Sequence, residues 1–254
     1  MQEGQPQPLL TCLPPTWPRF RWLKGSGNQA SLKACYQWAS AEGLESRILC
    51  ISGESGSGMT TLLLQLEKQL RRNSQRVLSL RDDTDADERL ILAQLVEELR
   101  LPNARKYDQF NFLGGVYEYV LTLRKYAFIV IHDVERFMSF TRAVTQANFD
   151  AISLLLNLVI GCRIVIAGDS EAIEKYLSYF SSYRPGFVGL NPMSLGLEYT
   201  DFVHDIWKRY IGHDLPSTAV VKGIHNATGG LVGTTFTYLG MRSTEQAIGP
   251  YEGF

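Results

Sequence analysis

The chain reads Gly53-Glu54-Ser55-Gly56-Ser57-Gly58-Met59-Thr60-Thr61 between an apolar segment and a segment with helical periodicity. This run matches the phosphate-binding pattern G-x-x-x-x-G-K-[ST], except that methionine occupies the lysine position. The glycines allow the backbone to curl so that successive N–H groups face phosphate oxygens, and the dipole of the following helix attracts negative charge. We therefore predict that this run binds the phosphates of a nucleotide.

Met59 changes what this loop can do chemically. In the complete pattern, the lysine ammonium contacts the β- and γ-phosphates and stabilises the charge that develops during phosphoryl transfer. Thr60 occupies the position whose hydroxyl binds Mg²⁺. We expect backbone N–H groups to retain part of the binding of ATP and Mg²⁺, whereas hydrolysis is expected to be weak or absent because electrostatic stabilisation is lost.

Two other interpretations of the glycine-rich run stay open. The glycines could serve only tight packing between a strand and a helix. A dinucleotide-binding loop is less favoured, because it requires the spacing G-x-G-x-x-G and an acidic residue at the end of the next strand. Here the spacing is G-x-x-G-x-G, and the next strand is followed first by Arg81.

Apolar runs with strand character alternate with amphipathic segments along much of the chain. The predicted strands are Arg47–Ser52, Arg76–Leu80, Ala127–Ile131 and Arg163–Ala167. Helices are predicted from about Gln29 to Ala41, Thr61 to Leu70, Glu88 to Arg100, Tyr107 to Arg124 and Thr145 to Val159. This alternation predicts an α/β fold with a parallel sheet and helices on both faces.

The domain organisation follows from changes in this pattern. Residues 1–27 are rich in proline, which prevents a regular helix, and we predict an extended arm there. Residues 28–196 are the predicted core, residues 197–245 a small helical lid, and residues 246–254 a tail. The lid helices are predicted at Glu198–Tyr210, Ser217–Asn226 and Leu231–Met241.

Composition limits the class of protein. A length of 254 residues with 45% apolar content allows a sizeable core, and a net charge of -1 argues against a generally basic nucleic-acid binder, although a local basic face remains possible. The four cysteines are far apart in sequence, so neither a zinc site nor a disulfide framework is indicated. We see no pattern of a membrane span or a signal peptide, and we expect a cytoplasmic protein.

A second catalytic element is predicted where the strand before His132 ends. The sequence continues His132-Asp133-Val134-Glu135, at the point where an ATPase of this class carries a metal-ordering acid followed by a base. In the favoured register His132 replaces the metal-ordering acid and Asp133 takes the position of the base. In the other register Asp133 orders Mg²⁺ and Glu135 acts as the base. A third interpretation is that these acids only cap the following turn.

Together with these motifs, three further stretches give the chain a resemblance to a known family. They are Arg163–Ile173, Ser182–Phe187 and a set of lid motifs at Tyr199–Phe202, Leu215–Pro216 and Ala227–Gly233. In their order and spacing, across roughly Gln29 to Arg242, they resemble the TniB/TnsC-type AAA+ regulators of DNA transposition.

The resemblance implies a P-loop NTPase of AAA+ type that oligomerises on target DNA and recruits or activates a transposase. The implied partners are duplex DNA, transposase and target-selection subunits, and self or paralogous AAA+ subunits in a ring or filament. The resemblance also places Arg184 near a subunit boundary, as a finger that reaches a neighbour's nucleotide. A plain surface arginine is the alternative.

This sequence departs from the family's pattern at Met59, at His132, and at Thr234, where the family's lid often carries an arginine. Because all three changes affect γ-phosphate or metal chemistry, a regulatory subunit that does not hydrolyse ATP is expected. The alternatives are a nucleotide-independent adaptor that partners an active ATPase, and a secretion-type AAA ATPase. The candidate contacts with DNA phosphates are Lys68, Arg71, Arg72 and Arg76.

Overall fold

The structure, a computed structural model of the chain, describes residues 22, 27–41, 46–81, 90–100, 114–138, 141–158, 161–212 and 214–248. Most of the predicted arm (1–27) and the end of the predicted tail (246–254) lie outside the described residues. The same holds for the first part of the helix predicted at Tyr107–Arg124. Within the ranges described, no helix is both long and apolar enough to cross a membrane.

Parallel strands form a five-stranded sheet in the order β2-β3-β4-β1-β5. The strands are β1 (Ile48–Gly53), β2 (Arg76–Leu80), β3 (Tyr126–Ile131), β4 (Arg163–Gly168) and β5 (Gly186–Leu190). In the centre of the sheet, Cys50 of β1 pairs with Ile166 on one side and with Phe187 on the other. Every residue of β1 is buried, as expected for an interior strand of a parallel sheet covered on both faces.

Helices connect the strands and continue beyond the last one. They are α1 (Asn28–Ser40), α2 (Met59–Arg72), α3 (Ile91–Glu98), α4 (Gly114–Leu123), α5 (Arg142–Leu158), α6 (Ser170–Tyr179), α7 (Leu197–Tyr210), α8 (Thr218–Thr228) and α9 (Val232–Ile248). Short 3₁₀ helices lie at Val134–Phe137 and Ser181–Tyr183. The prediction of a parallel α/β sheet flanked by helices is confirmed.

The larger of two compact units contains residues 31–54 and 62–190. Its apolar core combines strand residues such as Ile48, Ile129 and Ile164 with side chains of α3, α5 and α6. These apolar strand residues are almost completely buried, which is the main stabilising contribution expected for a sheet of this type.

The smaller unit contains residues 1–30, 55–61 and 191–254. Apolar side chains of α7, α8 and α9 form its core. The buried hydroxyl of Tyr199 on α7 lies 3.1 Å from Thr228 Oγ1 on α8 and 3.0 Å from Thr235 Oγ1 on α9, so these three helices also share a polar contact. The predicted domain boundaries at residues 28, 197 and 245 stay predictions.

The sequence prediction omitted α6 and β5. Asp169 caps α6 by accepting a hydrogen bond from the N–H of Ala172 at 2.7 Å, and an Asp followed by apolar residues at helical spacing is the signal that would have found this helix. β5 has a glycine at two of its five positions, so its strand propensity is low. Pairing with β1 supplies what the local sequence lacks.

Candidate nucleotide site

The glycine-rich loop lies between the end of β1 at Gly53 and the start of α2 at Met59. Gly56 and Gly58 have φ angles of 84° and 87°, in the left-handed region where any side chain is strained. The spacing of these two glycines therefore has a conformational cause. The predicted phosphate-binding residues form a tight turn that leads directly into a helix.

Asn28, the first residue of α1, holds this loop from one side. Its side-chain amide Nδ2 donates a hydrogen bond of 2.8 Å to the carbonyl oxygen of Ser57. A Cβ atom on Gly58 would lie 2.8 Å from the same Nδ2 atom, so the contact requires glycine at position 58. Asn28 is buried, and no feature of the local sequence marked it as part of the loop.

Ser57 is the buried polar residue of the loop, with 3% of its surface exposed. Within the described part of the chain, its hydroxyl has no hydrogen-bond partner. A buried donor without a partner is costly, and such groups are often satisfied by a ligand. A hydroxyl donates readily to a phosphate oxygen, so this group is compatible with the anion that the sequence pattern predicts.

α2 adds a favourable electrostatic environment. Met59, Thr60 and Thr61 form its first turn, where backbone N–H groups have no partner within the helix, and all three residues are partly buried. The first turn carries no acidic residue, which would repel an anion. Thr60 stays the predicted hydroxyl ligand of Mg²⁺.

The first turn of α9 contacts the loop from another side. The N–H groups of Gly233 and Thr234 donate to the carbonyl oxygen of Gly56, at 2.7 and 3.1 Å. This carbonyl thus satisfies N-terminal N–H groups of α9 that the helix itself leaves unpaired. A Cβ atom on Gly56 would lie 2.0 Å from Thr234 Oγ1, so the threonine side chain packs directly on the loop.

His132 follows β3 and is buried, with 3% of its surface exposed. Its Nε2 atom lies 3.0 Å from Glu67 Oε1 on α2. An ionised carboxylate can only accept hydrogen bonds, so Nε2–H donates to Glu67. Ser79 Oγ and Arg81 Nη2 also donate to this carboxylate, at 2.8 and 3.1 Å. We call Glu67, Ser79, Arg81 and His132 the Glu67 cluster.

The Glu67 cluster binds its carboxylate in the ionised form. Burial by itself would raise the pKa of Glu67, but the hydrogen bonds from His132 and Ser79 and the charge of Arg81 outweigh it and lower the pKa to about 2. No feature of the sequence linked Glu67 to His132, because 65 residues separate them. Helical periodicity alone did not mark Glu67 as a buried acid.

Acidification is expected to destabilise the protein between about pH 4.5 and pH 2, as Glu67 takes up a proton. A carboxyl whose pKa is lower in the folded than in the unfolded chain stabilises the fold above its unfolded pKa, and this stabilisation is lost as the pH falls through the folded pKa. Urea unfolding midpoints measured across this range should fall less steeply for Glu67→Gln than for the unchanged protein. Equal slopes would contradict this assignment.

Asp133 and Glu135, the two candidates for the base, follow shortly after β3. Asp133 has φ 49° and ψ 50°, in the left-handed region, and its side chain makes no capping hydrogen bond to the following 3₁₀ helix. Strained residues of this kind concentrate at functional sites. Both predicted registers stay open, with Asp133 and Glu135 as the catalytic candidates and Asp133 as a ligand of Mg²⁺.

Glu135 is half-buried beside the end of β4. Its Oε2 atom accepts a long hydrogen bond, of 3.3 Å, from the backbone N–H of Asp169. Burial raises the pKa of Glu135, and the charges of Asp133 and Asp169 raise it further. A Cβ atom on Gly168 would lie 2.6 Å from Oε2, so this approach requires glycine there. A carboxyl with a raised pKa accepts a proton more readily near neutral pH.

The remaining candidate residues lie at the surface. Arg184 is exposed and has φ 48°, in the turn between the 3₁₀ helix at Ser181–Tyr183 and β5, which is an edge strand. Lys68 and Arg72 are exposed on α2. Their neighbours in the predicted basic group make internal contacts: Arg71 forms an ion pair with Glu67 at 3.1 Å, and Arg76 Nη1 donates to the carbonyl oxygen of Arg124 at 2.7 Å.

The strand order and the loop together define an α/β domain of the P-loop class. A model of the AAA domain family matches residues 44–177, which is more than half of the chain. The chain therefore belongs to the AAA domain family. No curated protein matches the sequence significantly.

Solved structures give the same fold class. A Walker-type ATPase of Pyrococcus abyssi is similar with a TM-score of 0.61 at 11% identity, covering 86% of this chain and 67% of that chain. Cdc6p of Pyrobaculum aerophilum gives 0.64 at 16% identity, with coverage of 91% and 62%. A replication initiator DnaA bound to AMPPCP and single-stranded DNA gives 0.55 at 17%, with coverage of 95% and 67%. The fold is thus AAA+ ATPase-like and similar to the fold of the replication initiator DnaA.

Proposed function

We propose that this chain is a nucleotide-binding AAA+ regulator of DNA transposition that assembles on target DNA with little or no ATP hydrolysis. The observation that carries the proposal is the geometry of the loop at residues 53–61. Its two left-handed glycines curl the backbone as a phosphate-binding loop requires, and the Ser57 hydroxyl has no hydrogen-bond partner within the described residues. Neither feature depends on the lysine that Met59 replaces.

Binding of nucleotide and DNA has support from a protein of the same fold. The DnaA structure to which this chain is similar holds AMPPCP and single-stranded DNA. In this chain, the exposed side chains of Lys68 and Arg72 offer positive charge to DNA phosphates, which gives affinity without sequence preference. The choice of duplex DNA rests on the resemblance to transposition regulators.

Self-assembly and the transposase partner rest on the same resemblance. Phe187 on the edge strand β5 has 57% of its surface exposed. It lies three residues after the exposed Arg184, which the resemblance places at a subunit boundary. An exposed aromatic on a strand that lacks a neighbour on one side among the described residues favours contact with another chain. A neighbouring AAA+ subunit, either a second copy or a paralogue, is the proposed occupant.

Assembly on DNA is testable by electron microscopy of the full chain with linear duplex DNA, with ADP, with ATP and without nucleotide. We expect rings or filaments on DNA. We also expect DNA affinity to fall by at least about tenfold between about 50 and 200 mM salt, because binding releases counterions from the DNA and added salt makes this release less favourable. Arg72→Glu should weaken DNA binding, whereas Lys175→Glu, at an exposed position of α6, is the matched control.

Three other outcomes of this experiment would contradict all or part of the proposed function. A chain that binds nucleotide but forms no assembly on DNA would contradict the role in transposition. A chain that binds neither nucleotide nor DNA would favour the adaptor that needs no nucleotide. DNA binding that is insensitive to salt would contradict the contact through phosphates.

A further inference from the structure

We infer that this site takes a nucleoside diphosphate without Mg²⁺ and has no preference for the triphosphate. This inference rests on the proposed nucleotide binding and names the ligand class of the same site. In a complete P-loop, backbone N–H groups hold the α- and β-phosphates, the lysine reaches the β- and γ-phosphates, and a hydroxyl contacts Mg²⁺. This chain keeps the backbone N–H groups of the loop and the hydroxyl of Thr60, but it lacks the lysine that reaches the third phosphate.

The groups retained for two phosphates are neutral. They are the N–H groups of the loop, the first turn of α2, and the Ser57 hydroxyl, which is buried and has no partner within the described residues. The loop is already in its curled conformation, with Gly56 and Gly58 at positive φ and Asn28 bonded to the Ser57 carbonyl. An arrangement that is preformed binds its ligand without a cost of ordering.

Position 59 supplies no charge to a third phosphate. Met59 is partly buried at the start of α2, and its thioether is at best a weak acceptor of hydrogen bonds. A γ-phosphate that loses water near this side chain gains no donor in exchange, and moving a charge out of water without a partner is costly. A diphosphate lacks this donor only at its β-phosphate, whereas a triphosphate lacks it at both the β- and the γ-phosphate.

The side chain at position 234 is also neutral, and Thr234 contacts Gly56 of the loop. The N–H of Thr234 donates to the carbonyl oxygen of Gly56, and its Oγ1 atom packs on the same residue. Where the resemblance places an arginine for the phosphates, this chain therefore has a residue that holds α9 against the loop. The contact stabilises the loop but adds no positive side chain.

In the favoured register, residue 132 supplies no carboxylate to order a metal. Mg²⁺ prefers oxygen ligands, which a histidine ring does not provide. The ring of His132 donates to Glu67 and lies in the buried Glu67 cluster. Of the groups that normally favour Mg²⁺ with a triphosphate, the lysine of the loop and the arginine of the lid are replaced, and in the register where residue 132 orders the metal its carboxylate is replaced as well.

The test is a titration of the full chain with fluorescent ADP and ATP analogues, each with and without Mg²⁺. We expect the diphosphate to bind at least as tightly as the triphosphate, and we expect Mg²⁺ to leave both affinities unchanged. Met59→Lys should strengthen binding of the triphosphate by about 10- to 100-fold, the value of a hydrogen bond to a charged group, and strengthen the diphosphate less.

Two glycine variants show whether the nucleotide occupies this loop. Gly58→Ala should abolish binding, because residue 58 has φ 87° and a Cβ atom would lie 2.8 Å from Asn28 Nδ2. Gly223→Ala is the matched control, since a Cβ atom there meets nothing within 4 Å. Circular dichroism verifies that both variants are folded.

The outcomes separate this inference from the proposed function. A clear preference for the triphosphate with Mg²⁺ would overturn the inference and leave nucleotide binding intact. Failure of the folded protein to bind either nucleotide would overturn both. Diphosphate binding that survives in Gly58→Ala would overturn the assignment of the ligand to this loop.

Discussion

His132→Asp is expected to destabilise the protein by about 3 to 5 kcal/mol, although aspartate is the residue that the resemblance places at this position. The exchange removes the Nε2–H donor of Glu67 and puts a second carboxylate beside a carboxylate that is 1% exposed. Two acids at this separation do not both ionise without a large cost, so one of them must be protonated at neutral pH.

Equilibrium unfolding in urea at neutral pH, followed by circular dichroism, measures this effect. Adding Glu67→Gln to His132→Asp should recover part of the lost stability, because the second exchange removes the like charge and lets the amide donate to the new carboxylate. Glu171→Gln is the control, since Glu171 is an exposed acid whose ion pair with Lys175 lies at the surface, and its unfolding midpoint should not change.

A His132→Asp variant as stable as the unchanged protein would show that the ring does not bind Glu67 in solution. It would then favour the view that residue 132 is free to face a metal. If stability falls as expected, an acid at residue 132 cannot be introduced to restore hydrolysis without also destabilising the fold. In the Glu67 cluster, Glu67 on α2 contacts Ser79 on β2 and His132 after β3, so a change at residue 132 affects the packing of α2 on these strands.

Much of the sheet could be predicted, because four strands are continuous apolar runs between helices of regular period. The strand at Gly186–Leu190 could not, since its two glycines weaken the local signal and its stability comes from pairing with β1. Both ends of α2, α5 and α8 were predicted within a few residues, because at each of them a periodic segment meets a loop. α9 is longer than predicted, ending at Ile248.

The candidate site, like the sheet, could be predicted from the sequence only in part. The glycine-rich loop is contiguous in sequence, and its pattern predicts the turn that Gly56 and Gly58 form. Asn28 and Ser57 are 29 positions apart in sequence, and Glu67 and His132 are 65 positions apart. A single sequence carries no signal for contacts between such distant residues. The pattern thus predicted which backbone would bind phosphate, but not which side chains hold that backbone in place.

Gly233→Ala is expected to weaken the contact between α9 and the phosphate loop. A Cβ atom at residue 233 would lie 2.8 Å from the backbone oxygen of Gly56, which accepts the N–H of Gly233 at 2.7 Å. Backbone atoms cannot move aside as a flexible side chain does, so either α9 or the loop must shift. Forcing extra volume into such a contact typically costs about 1 to 3 kcal/mol.

Gly223→Ala makes the same chemical change in α8, where a Cβ atom meets nothing within 4 Å. In a helix without a clash, alanine is more favourable than glycine by about 0.5 to 1 kcal/mol. The unfolding free energy should therefore fall in Gly233→Ala and rise in Gly223→Ala, so that the two variants differ by about 1.5 to 4 kcal/mol. Urea unfolding of both variants under the same conditions measures this difference.

Nucleotide affinity separates a general loss of stability from a specific change in the loop. If α9 positions the Gly56 carbonyl, folded Gly233→Ala should bind nucleotide more weakly, whereas Gly223→Ala should bind it as the unchanged protein does. Equal stability and equal affinity of the two variants would contradict the contact. A weaker affinity confined to Gly233→Ala would mean that the lid helix, through two backbone N–H groups rather than an arginine side chain, sets the conformation of the phosphate loop.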